Sequence, residues 1–531
     1  MQAEWSNATA LLPLALLFKS FMDGSESTFA SILSQIETYL PSQDLTLLKK
    51  AYQFSLEAHQ TQKRATGDPY IVHPLAVVQT LAELQLDLPT LAAGFLHDVL
   101  EDTPISKEIV LREFGEEITN LVEGVTKISS LEQIHKTQEE LALGAEELSR
   151  QAEYWRKMLI ATAQDIRVIL LKLCDRYHNM ETLQHLSPEK RKRIAEETLT
   201  LYAPLAQRLG MYKLKSKLED LSFKYLEPEN YETLNLKLKE QRVQEEEFLK
   251  NYVEKIETVL KGNSIPYKIS ARPKNIYSIY RKMLKQNKPF EEIQDLIGVR
   301  LITDTIENCY ALLGIVHTHF FPLPNTFTDY IAFPKTNFYQ SLHTTIKLSE
   351  KEIVEVQIRT EEMHEVCEYG IASHWKYKQS GPTHPQTTRP LKENQKSIAK
   401  ESIEDRLDWI KQILEWQQDA KSPKEFIEWL KLELEFDEVY VFTPKWEVKK
   451  LPLGSTVLDF AYAIHTDLGH HCIGGKINDR LVRIDMVLKS GERCEVLTKK
   501  NQTPHKDWLE FVKTPRAKSK IRKYLRETGE T

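Results

Sequence analysis

The spacing of apolar residues divides the chain into regions of different character. In residues 26–225 apolar side chains recur every three or four positions, the period of a helix with one buried face. Three stretches, 75–84, 91–96 and 168–173, are apolar enough to be core helices. Polar, Glu-rich sequence at 129–151 interrupts the pattern and indicates either a solvated loop and helix or a flap beside a site. We therefore predict an all-α domain here.

The second half of the chain has a mixed pattern. A charged helix predicted at 229–260 precedes short β-branched segments bounded by turn residues, which are typical of strands in a mixed sheet. These segments lie at 266–270, 296–303, 344–348 and 353–359, with a predicted helix at 276–285. A Pro-, Thr- and Ser-rich stretch at 379–396 predicts a linker. A helix is predicted near 403–418, and short strands alternate with turns over 439–498.

The composition is that of a globular protein with several domains, because 531 residues are too many for one hydrophobic core. Lys and Arg total 71 against 77 Asp and Glu, so the net charge is −6 and any phosphate site must be a local patch. The five cysteines are scattered without a Cys-x-x-Cys pair, which argues against a disulfide framework or structural zinc and for a reducing cytoplasm. The apolar run at 10–18 is shorter than the roughly 20 residues that span a bilayer. No basic residue precedes it, so we expect no signal peptide and no membrane partner.

A His-Asp pair, His97 and Asp98, follows the second apolar helix. If the same helix continues through the pair, His97 and Glu101 are neighbours on one face, and Asp98 faces both Glu101 and Asp102. An imidazole nitrogen and a carboxylate oxygen can bind one cation, while the later acids can move the proton of a water molecule. The ordinary alternative is that the pair only ends a helix. Two other positions favour a metal site: His73 lies beside a proline at a predicted helix start, and Asp175 follows the third apolar helix.

The order H…HD…D resembles the HD phosphohydrolase superfamily. The surrounding sequence resembles the hydrolase domain of the RelA/SpoT homologues, which make and degrade the alarmones ppGpp and pppGpp. The resemblance is carried by Arg64 and by the segments 67–74, 95–103 and 165–170. The ligands that it implies for one Mn²⁺ are His73, His97, Asp98 and Asp175. The residues that it implies for positioning the attacking water and moving its proton are Glu101 and Asp102. Those that it implies for orienting the nucleotide are Arg64, Thr66 and Asn179.

Charged residues also lie at unusual places in the predicted mixed sheet. Arg272 and Lys274 are cations at a strand-to-helix junction, where backbone N–H groups favour phosphate. Asp295 and Glu355 are carboxylates within predicted strands, and two such acids can share a Mg²⁺ ion with substrate phosphates. Residues 329–343 supply cations, amides and aromatic rings that suit a nucleotide. Taken singly, surface Arg and Lys are usually only solvated, so it is the combination that indicates a site.

This region resembles the RelA/SpoT synthetase domain, which transfers pyrophosphate from ATP to the 3′-hydroxyl of GDP or GTP. The residues that the resemblance assigns to ATP are Arg272, Lys274 and Arg300. It assigns Mg²⁺ to Asp295 and Glu355, and it gives Glu355 the proton of the attacking 3′-hydroxyl. The residues that it places around the acceptor nucleotide are Lys335, Asn337 and His343, with Tyr339 stacked on guanine.

Residues 440–444 through 459–469 resemble a TGS domain, which in this family recognises the 3′ end of uncharged tRNA on the ribosome. His465 is the candidate RNA contact, and a structural histidine in a packed module is the alternative. The basic, helix-prone tail at 513–526 is a second candidate for contact with RNA. Because the sequence ends soon after this module, we expect the regulatory modules of long family members to be absent.

Departures from the family pattern bear on activity. Ala65 and Glu181 stand where the family has positively charged residues near the hydrolase nucleotide, which would weaken alarmone binding. Residues 326–329 match neither the basic motif of bifunctional members nor the acidic motif of synthesis-only members. Phe338 replaces a glycine before the stacking tyrosine, where a Cβ is unfavourable if φ is positive.

We therefore predict a multidomain α+β protein with an all-α HD-type hydrolase domain, a mixed α/β nucleotidyltransferase-like synthetase domain and a small β-rich TGS domain. The predicted segments are a disordered leader (1–25), hydrolase (26–225), synthetase (226–378), linker and helix (379–436), TGS domain (437–500) and basic helical tail (501–531). The predicted function is a cytoplasmic bifunctional alarmone enzyme. Its expected partners are ATP, GDP or GTP, and (p)ppGpp, with uncharged tRNA and the ribosome as candidates. Two alternatives stay open: a hydrolase with a decayed synthetase, and a tRNA- or ribosome-binding regulator with residual catalysis.

Overall fold

The structure is a computed structural model. It describes the backbone of residues 8–41, 43–137, 145–293, 297–335, 337, 339–349, 352–373, 403–417, 419–434 and 438–529. Side chains are described for the same residues except 8–23, 129–137, 145–148, 240–251, 272–273, 297 and 403–407. The chain divides into two compact units. The first contains Met1–Thr126 and Arg167–Leu391, and the second contains Lys127–Ile166 and Lys392–Thr531. No helix in the described part is both long and apolar enough to cross a membrane.

The first half of the chain is helical, as predicted. Its helices are α1 (Ala8–Tyr39), α2 (Thr46–Ala58), α3 (Val72–Glu83), α4 (Leu88–Leu96), α5 (Val99–Asp102), α6 (Lys107–Thr137), α7 (Ala145–Gln164), α8 (Arg167–Glu181), α9 (Pro188–Glu197), α10 (Ala203–Arg208), α11 (Tyr212–Leu226) and α12 (Pro228–Leu260). Helix α1 begins inside the segment predicted to be a disordered leader. The Glu-rich interruption falls at the end of α6 and the start of α7, with residues 138–144 between them outside the described residues.

Local sequence signals fix the ends of α3 and α4. Asp87 caps α4 by accepting a hydrogen bond from the N–H of Thr90, and Pro89 occupies the first turn. Helix α3 begins at Val72, so His73 lies in its first turn. Most residues of both helices are buried, and this burial stabilises their packing against each other.

The structure corrects the expectation that one helix continues through the His-Asp pair. Helix α4 ends at Leu96, and His97 and Asp98 form a turn before α5 begins. Asp98 has φ −97° and ψ −6°, which departs from helical geometry. The helical repeat therefore does not relate His97 to the acids of α5, and their placement depends on the turn.

A six-stranded mixed sheet follows. Its strands are β1 (Lys268–Pro273), β2 (Ile297–Thr303), β3 (Phe321–Pro322), β4 (Thr328–Asp329), β5 (Leu342–Lys347) and β6 (Ile353–Thr360). The helices of this region are α13 (Ile276–Gln286), α14 (Ile306–His319) and α15 (Glu361–Tyr369). The strand order is β1-β2-β6-β5-β3, with β4 paired to β5. Strands β2 and β6 are parallel, and the other pairs are antiparallel. The four predicted strands correspond to β1, β2, β5 and β6.

The sheet has an apolar face and a polar face, because successive side chains of a strand point to opposite sides. On β6 the fully buried Val356 and Ile358 belong to the core that the sheet shares with α12 and α14. Glu355, Gln357 and Arg359 alternate with them and lie on the other face. The polar face is therefore the surface on which a site can form.

The helices and the sheet of the first unit meet at two glycines. Gly210 (φ +76°) follows α10 and lies against Gly370 (φ +60°), and the N–H of Ile371 donates to the carbonyl of Leu209 at 2.9 Å. A Cβ on Gly370 would lie 2.5 Å from the Leu209 carbonyl oxygen, so no larger residue fits. The buried side chain of Asn337 also donates hydrogen bonds across this contact, which we call the glycine joint.

An apolar cluster crosses from α11 into the segment predicted to be the synthetase. Phe223 of α11 packs with Leu234 and Leu238 of α12 and with Ile276 and Ile279 of α13. The ring of Phe223 is fully buried, so these helices share one core.

The second unit contains α7, α16 (Ile403–Gln417), α17 (Pro423–Leu434) and a small module. The strands of the module are β7 (Glu438–Phe442), β8 (Val448–Pro452), β9 (Cys472–Ile477), β10 (Arg480–Val482) and β11 (Cys494–Thr498). Its helices are α18 (Val457–Ile464), α19 (Thr466–His470), α20 (Trp508–Phe511) and α21 (Pro515–Thr528). Strands β7 and β8 form a hairpin, and β10-β9-β11 form a second sheet. The buried Asp459 accepts hydrogen bonds from Thr456 and Thr514, which connects the start of α18 to the start of α21.

Gly370→Ala is expected to destabilise the protein, because the left-handed backbone alone costs a larger residue about 1–3 kcal/mol and the clash with Leu209 adds to this. Thermal unfolding should show a lower midpoint. Gly314→Ala in α14 is the matched control. A Cβ there meets nothing within 4 Å, so the change should stabilise the helix by about 0.5–1 kcal/mol. Equal midpoints for Gly370→Ala and wild type would contradict the packing described for the joint.

Candidate functional site

Three core helices converge at Gly94 in α4. A Cβ on Gly94 would lie 2.6 Å from Leu81 Cδ1 of α3 and 3.7 Å from Leu171 Cδ2 of α8. The missing side chain lets these helices approach closely, and it brings together the segments that carry the four predicted metal ligands. The Gly94 carbonyl also lies 2.8 Å from Nδ1 of His97 and fixes its ring.

The predicted ligands His73, His97, Asp98 and Asp175 form one cluster. The Nε2 atoms of the two histidines are 3.2 Å apart. Asp98 Oδ2 lies 3.1 Å from His97 Nε2, and Asp175 Oδ1 lies 3.3 Å from His73 Nε2. Donor atoms of His73, His97 and Asp175 all lie within 4.8 Å of one another. Imidazole nitrogens and carboxylate oxygens in such a buried group fit a divalent cation.

Opposite charges compensate one another within this cluster. Burial alone would lower the pKa of His97, but the Asp98 carboxylate outweighs burial and raises it to about 9. Burial would raise the pKa of Asp98, yet His97 holds it below its usual range. The pKa of the buried Asp175 is also held well below its usual range, chiefly by Lys172. Both carboxyl groups are therefore ionised, the form in which they bind metal ions.

Two residues that the sequence analysis did not single out hold the acids in place. The Tyr70 hydroxyl lies 2.7 Å from Asp98 Oδ2 and 2.8 Å from Asp102 Oδ2, so the two carboxylates share its proton. The ammonium of Lys172 donates to Asp175 Oδ2 at 2.9 Å. A single lysine within an apolar helix was the visible signal for Lys172, whereas Tyr70 had no distinguishing signal beyond its place in the motif.

His178 was also missed. Its Nδ1 lies 2.7 Å from Nδ1 of His73. Burial and the neighbouring His73 lower the pKa of His178 to about 3, so its ring is neutral and can accept a hydrogen bond. A proton on His73 Nδ1 leaves the lone pair of its Nε2 directed at the cluster.

The predicted nucleotide-orienting residues connect to this cluster. Arg64 Nη2 donates to Asn179 Oδ1 at 2.8 Å, and Asn179 Nδ2 donates to Asp175 Oδ1 at 2.6 Å. Thr66 Oγ1 accepts the N–H of Asp68 at 3.3 Å in the loop that follows Arg64. Arg64 and Asn179 are therefore positioned by contact with a metal ligand, and Thr66 shapes the adjoining turn.

A second candidate site is a cavity of about 260 Å³ on the polar face of the mixed sheet. The predicted residues that line it are Lys274, Arg300, Lys335, Tyr339 and His343. The side chains that α11 contributes to it are Tyr212, Lys213 and Ser216. One wall of this cavity thus comes from a helix of the predicted hydrolase segment, which the sequence analysis did not anticipate.

Glu355 lies beside this cavity as a buried, ionised carboxylate. Its Oε2 is 2.7 Å from Lys274 Nζ, and its Oε1 is 3.0 Å from His343 Nδ1. Gln357 Nε2 also donates to Oε1, at 3.1 Å. Burial would raise the pKa of Glu355, but His343 and Lys274 hold it far below its usual range. The arrangement therefore keeps the Glu355 carboxylate ionised beside the cations of the cavity.

Tyr339, which was predicted to stack on guanine, is largely covered. Its side chain is buried, and its hydroxyl lies 2.6 Å from His343 Nε2. The ring of Tyr212 packs edge-on against it with centroids 5.3 Å apart. The Lys335 ammonium lies 5.4 Å from its ring centroid. A base that stacks on Tyr339 must therefore displace a neighbour.

The remaining predicted residues have varied positions. Arg300 forms an ion pair with Glu368 at 3.0 Å. Asn337 is part of the glycine joint and is not among the residues that line the cavity, since its amide donates to the Gln207 carbonyl and the Tyr212 hydroxyl. Asp295, Phe338 and the side chain of Arg272 lie outside the described residues.

Arg359 lines the cavity but was not singled out from the sequence. It follows Glu355 and Gln357 at two-residue spacing on β6. That alternation was a signal that could have placed all three side chains on one face.

His465, the candidate RNA contact, precedes α19 in the second unit. Its side chain is 66% exposed, and its Nδ1 accepts the N–H of Asp467 at 3.2 Å. The histidine caps a short helix and still presents its ring to solvent.

Comparisons with known proteins match each region. The family described as "HD domain" matches residues 51–212, "Region found in RelA / SpoT proteins" matches 271–382, and "TGS domain" matches 439–498. A "Bifunctional (p)ppGpp synthase/hydrolase SpoT" from Escherichia coli is 42% identical over 498 residues, which cover 94% of this chain and 67% of that protein. The chain belongs to the RelA/SpoT family.

Other RelA/SpoT relatives carry names for each activity. A "GTP pyrophosphokinase" from Myxococcus xanthus is 46% identical over 523 residues, covering 98% of this chain and 65% of that protein. A "Guanosine-3′,5′-bis(diphosphate) 3′-pyrophosphohydrolase" from Aquifex aeolicus is 45% identical over 481 residues, covering 90% and 64%. The chain spans about two thirds of the length of these curated relatives.

Tyr70→Phe is expected to weaken binding of a divalent cation by about 10–100-fold. The change removes the hydroxyl that bonds both Asp98 and Asp102, so the two carboxylates of this RelA/SpoT cluster are no longer held in place. Calorimetric titration with Mn²⁺ measures the affinity. Tyr177→Phe is the control, since its hydroxyl bonds the exposed Glu181 at 2.6 Å, and it should bind Mn²⁺ as the wild type does. Unchanged affinity in Tyr70→Phe would show that Tyr70 does not organise the cluster.

Proposed function

We propose that the chain is a bifunctional alarmone enzyme with two reaction sites. At the buried His-Asp cluster it hydrolyses the 3′-pyrophosphate of (p)ppGpp to GDP or GTP and pyrophosphate. At the cavity on the sheet it transfers pyrophosphate from ATP to the 3′-hydroxyl of GDP or GTP. The proposal rests on one observation. The chain contains both a buried cluster of His and Asp side chains that could bind a metal ion and a cavity lined by cations beside the ionised Glu355. The names of its relatives support both activities.

In the hydrolase, His73, His97, Asp98 and Asp175 would hold Mn²⁺, whose chemistry when bound is to lower the pKa of a water molecule. Glu101 and Asp102 position the attacking water molecule, and one of the two carboxylates accepts its proton as the water oxygen bonds to the phosphorus that carries the 3′-oxygen. The bond between phosphorus and the 3′-oxygen breaks, and the proton passes to the leaving nucleotide.

The other residues near the cluster bind and orient the nucleotide. Tyr70 keeps Asp98 and Asp102 at a fixed separation through its shared hydroxyl. Arg64 and Asn179 lie within one hydrogen-bonded chain that ends on Asp175, so they can orient the alarmone relative to the reacting phosphorus. Thr66 belongs to the same loop as Arg64.

In the synthetase, Glu355 accepts the proton of the attacking 3′-hydroxyl as the 3′-oxygen bonds to the β-phosphorus of ATP and AMP leaves. Lys274, Arg300 and Arg272 neutralise the charge of ATP. Asp295 and Glu355 would hold Mg²⁺, which would supply further positive charge to the phosphates. The burial of Tyr339 beneath Tyr212 favours a second candidate, a hydrolase whose synthetase is inactive. Incubation with ATP, GDP and Mg²⁺ distinguishes the two, because formation of ppGpp excludes the second candidate.

The proposal extends to location and to macromolecular partners. Five buried, unpaired cysteines support a reducing cytoplasm. The exposed ring of His465 supports recognition of uncharged tRNA on the ribosome by the TGS domain. Loss of tRNA binding in His465→Ala, with both reactions retained, would be expected if this contact exists.

Single substitutions should separate the two reactions. His97→Ala or Asp98→Ala should reduce hydrolysis of ppGpp by at least about a thousandfold and leave synthesis intact, because each removes a ligand from the cluster. Glu355→Gln should do the reverse, since an amide cannot accept the hydroxyl proton. Chromatographic measurement of nucleotide turnover in both directions tests this. Loss of both activities in one folded variant would contradict the two-site proposal.

A further inference from the structure

Arg359 combines deep burial with missing hydrogen bonds. Its side chain is 1% exposed, and it lines the cavity on the polar face of the sheet. Its Nε and Nη2 atoms have no hydrogen-bond partner among the described residues. A guanidinium keeps its positive charge at every physiological pH. The protein therefore buries a cation that has no acceptor beside Nε and Nη2 among the described residues.

Other cations of the cavity differ in this respect. Lys274 pairs with Glu355 at 2.7 Å and Arg300 pairs with Glu368 at 3.0 Å. Arg359 donates a hydrogen bond to the Cys367 thiol, but burial raises the pKa of this thiol, so Cys367 supplies no negative charge. Burial also lowers the pKa of the neighbouring His343, whose ring supplies no negative charge either. An uncompensated buried charge destabilises a protein strongly, which favours an external anion as the missing partner.

We infer that Arg359 binds the 5′-phosphates of the acceptor nucleotide, GDP or GTP, and this rests on the proposed synthetase function. A phosphate offers oxygen acceptors that match the planar fork of a guanidinium. A bound phosphate would supply the hydrogen-bond acceptors that Nε and Nη2 of Arg359 lack among the described residues.

The spacing along β6 supports the acceptor rather than ATP. Arg359 lies four residues from Glu355 on the same face, a separation of about 13 Å between their Cα atoms at the usual strand rise. The transferred pyrophosphate must lie beside Glu355 and Lys274, where the 3′-hydroxyl reacts. In a nucleoside 5′-diphosphate the 5′-carbon and the 3′-hydroxyl lie on opposite faces of the ribose, so the 5′-phosphates can extend away from the reacting 3′-oxygen. Arg359 acts electrostatically on Tyr339 and His343, the residues expected around the acceptor nucleotide, and this favours a phosphate of the acceptor over one of ATP.

Arg359→Met tests the inference, because it keeps the length and apolar volume of the side chain but removes the charge and the donors. Calorimetry with GDP and with guanosine should show at least a tenfold weaker affinity for GDP and an unchanged affinity for guanosine. In steady-state synthesis the KM for GDP should rise by a similar factor, and the KM for ATP should stay the same. The thermal midpoint should equal or exceed that of the wild type, since a buried unpaired charge is gone.

A buried arginine with partners provides the matched control for stability. Arg176 donates to the Tyr202 hydroxyl at 2.8 Å and pairs with Glu197 at 3.2 Å, so Arg176→Met should lower the thermal midpoint. If Arg359→Met also lowers the midpoint and leaves the GDP affinity unchanged, Arg359 is structural and the inference fails. Equal losses for GDP and guanosine overturn it as well. Should Arg359→Met not fold, Arg359→Gln is measured against the same outcomes.

Synthesis of ppGpp by the wild-type chain distinguishes a failure of this inference from a failure of the proposed synthetase function. If the wild type forms no ppGpp from ATP and GDP, the proposed synthesis fails, whatever the substitution does. If the wild type is active and Arg359→Met retains its KM for GDP, the inference about Arg359 alone is wrong.

Discussion

A charged group that leaves water needs a partner inside the protein, and this requirement shapes both candidate sites. In the helical domain the acids Asp98 and Asp175 are buried beside two histidines, and Tyr70 and Lys172 supply the remaining contacts. On the sheet, Glu355 is stabilised by a lysine and a histidine. Both candidate sites form where buried charged side chains surround a space for a ligand. A bound metal ion or nucleotide then neutralises the charge that the protein leaves unpaired.

Close backbone packing is the second requirement. Gly94 lets three helices approach so that ligands far apart in sequence meet, and the glycine joint presses α10 and α11 against the sheet. At Gly94 and Gly370 the absence of a side chain permits this close packing, because a Cβ would push the neighbouring helices or loops away. The joint also explains why Tyr212, on a helix, forms part of the wall of a cavity on a sheet.

The sequence predicted the elements and the local chemistry well. Helical periodicity located α3, α4 and α8, and the motif order identified His73, His97, Asp98 and Asp175, which the structure brings together. Contacts over long sequence distances could not be predicted, because neither periodicity nor spacing encodes which surfaces meet. The turn at Asp98 and the role of Asn337 in the joint both depend on tertiary packing. The alternation on β6 could have pointed to Arg359 but was not used, and the missing hydrogen-bond partners of Arg359 are visible only in the structure.

The apolar cluster around Phe223 determines where the chain can be divided into fragments. The predicted border between hydrolase and synthetase falls at residues 225 and 226, only two positions after a ring that packs against Ile276 and Ile279. A fragment that starts at this border would expose that surface to water and would also lose the tyrosine wall of its cavity. A fragment that begins or ends at this border would therefore lack part of its hydrophobic core. Helices α11, α12 and α13 share one core across the predicted border, so a fragment that begins after α11 would need a redesigned surface in its place.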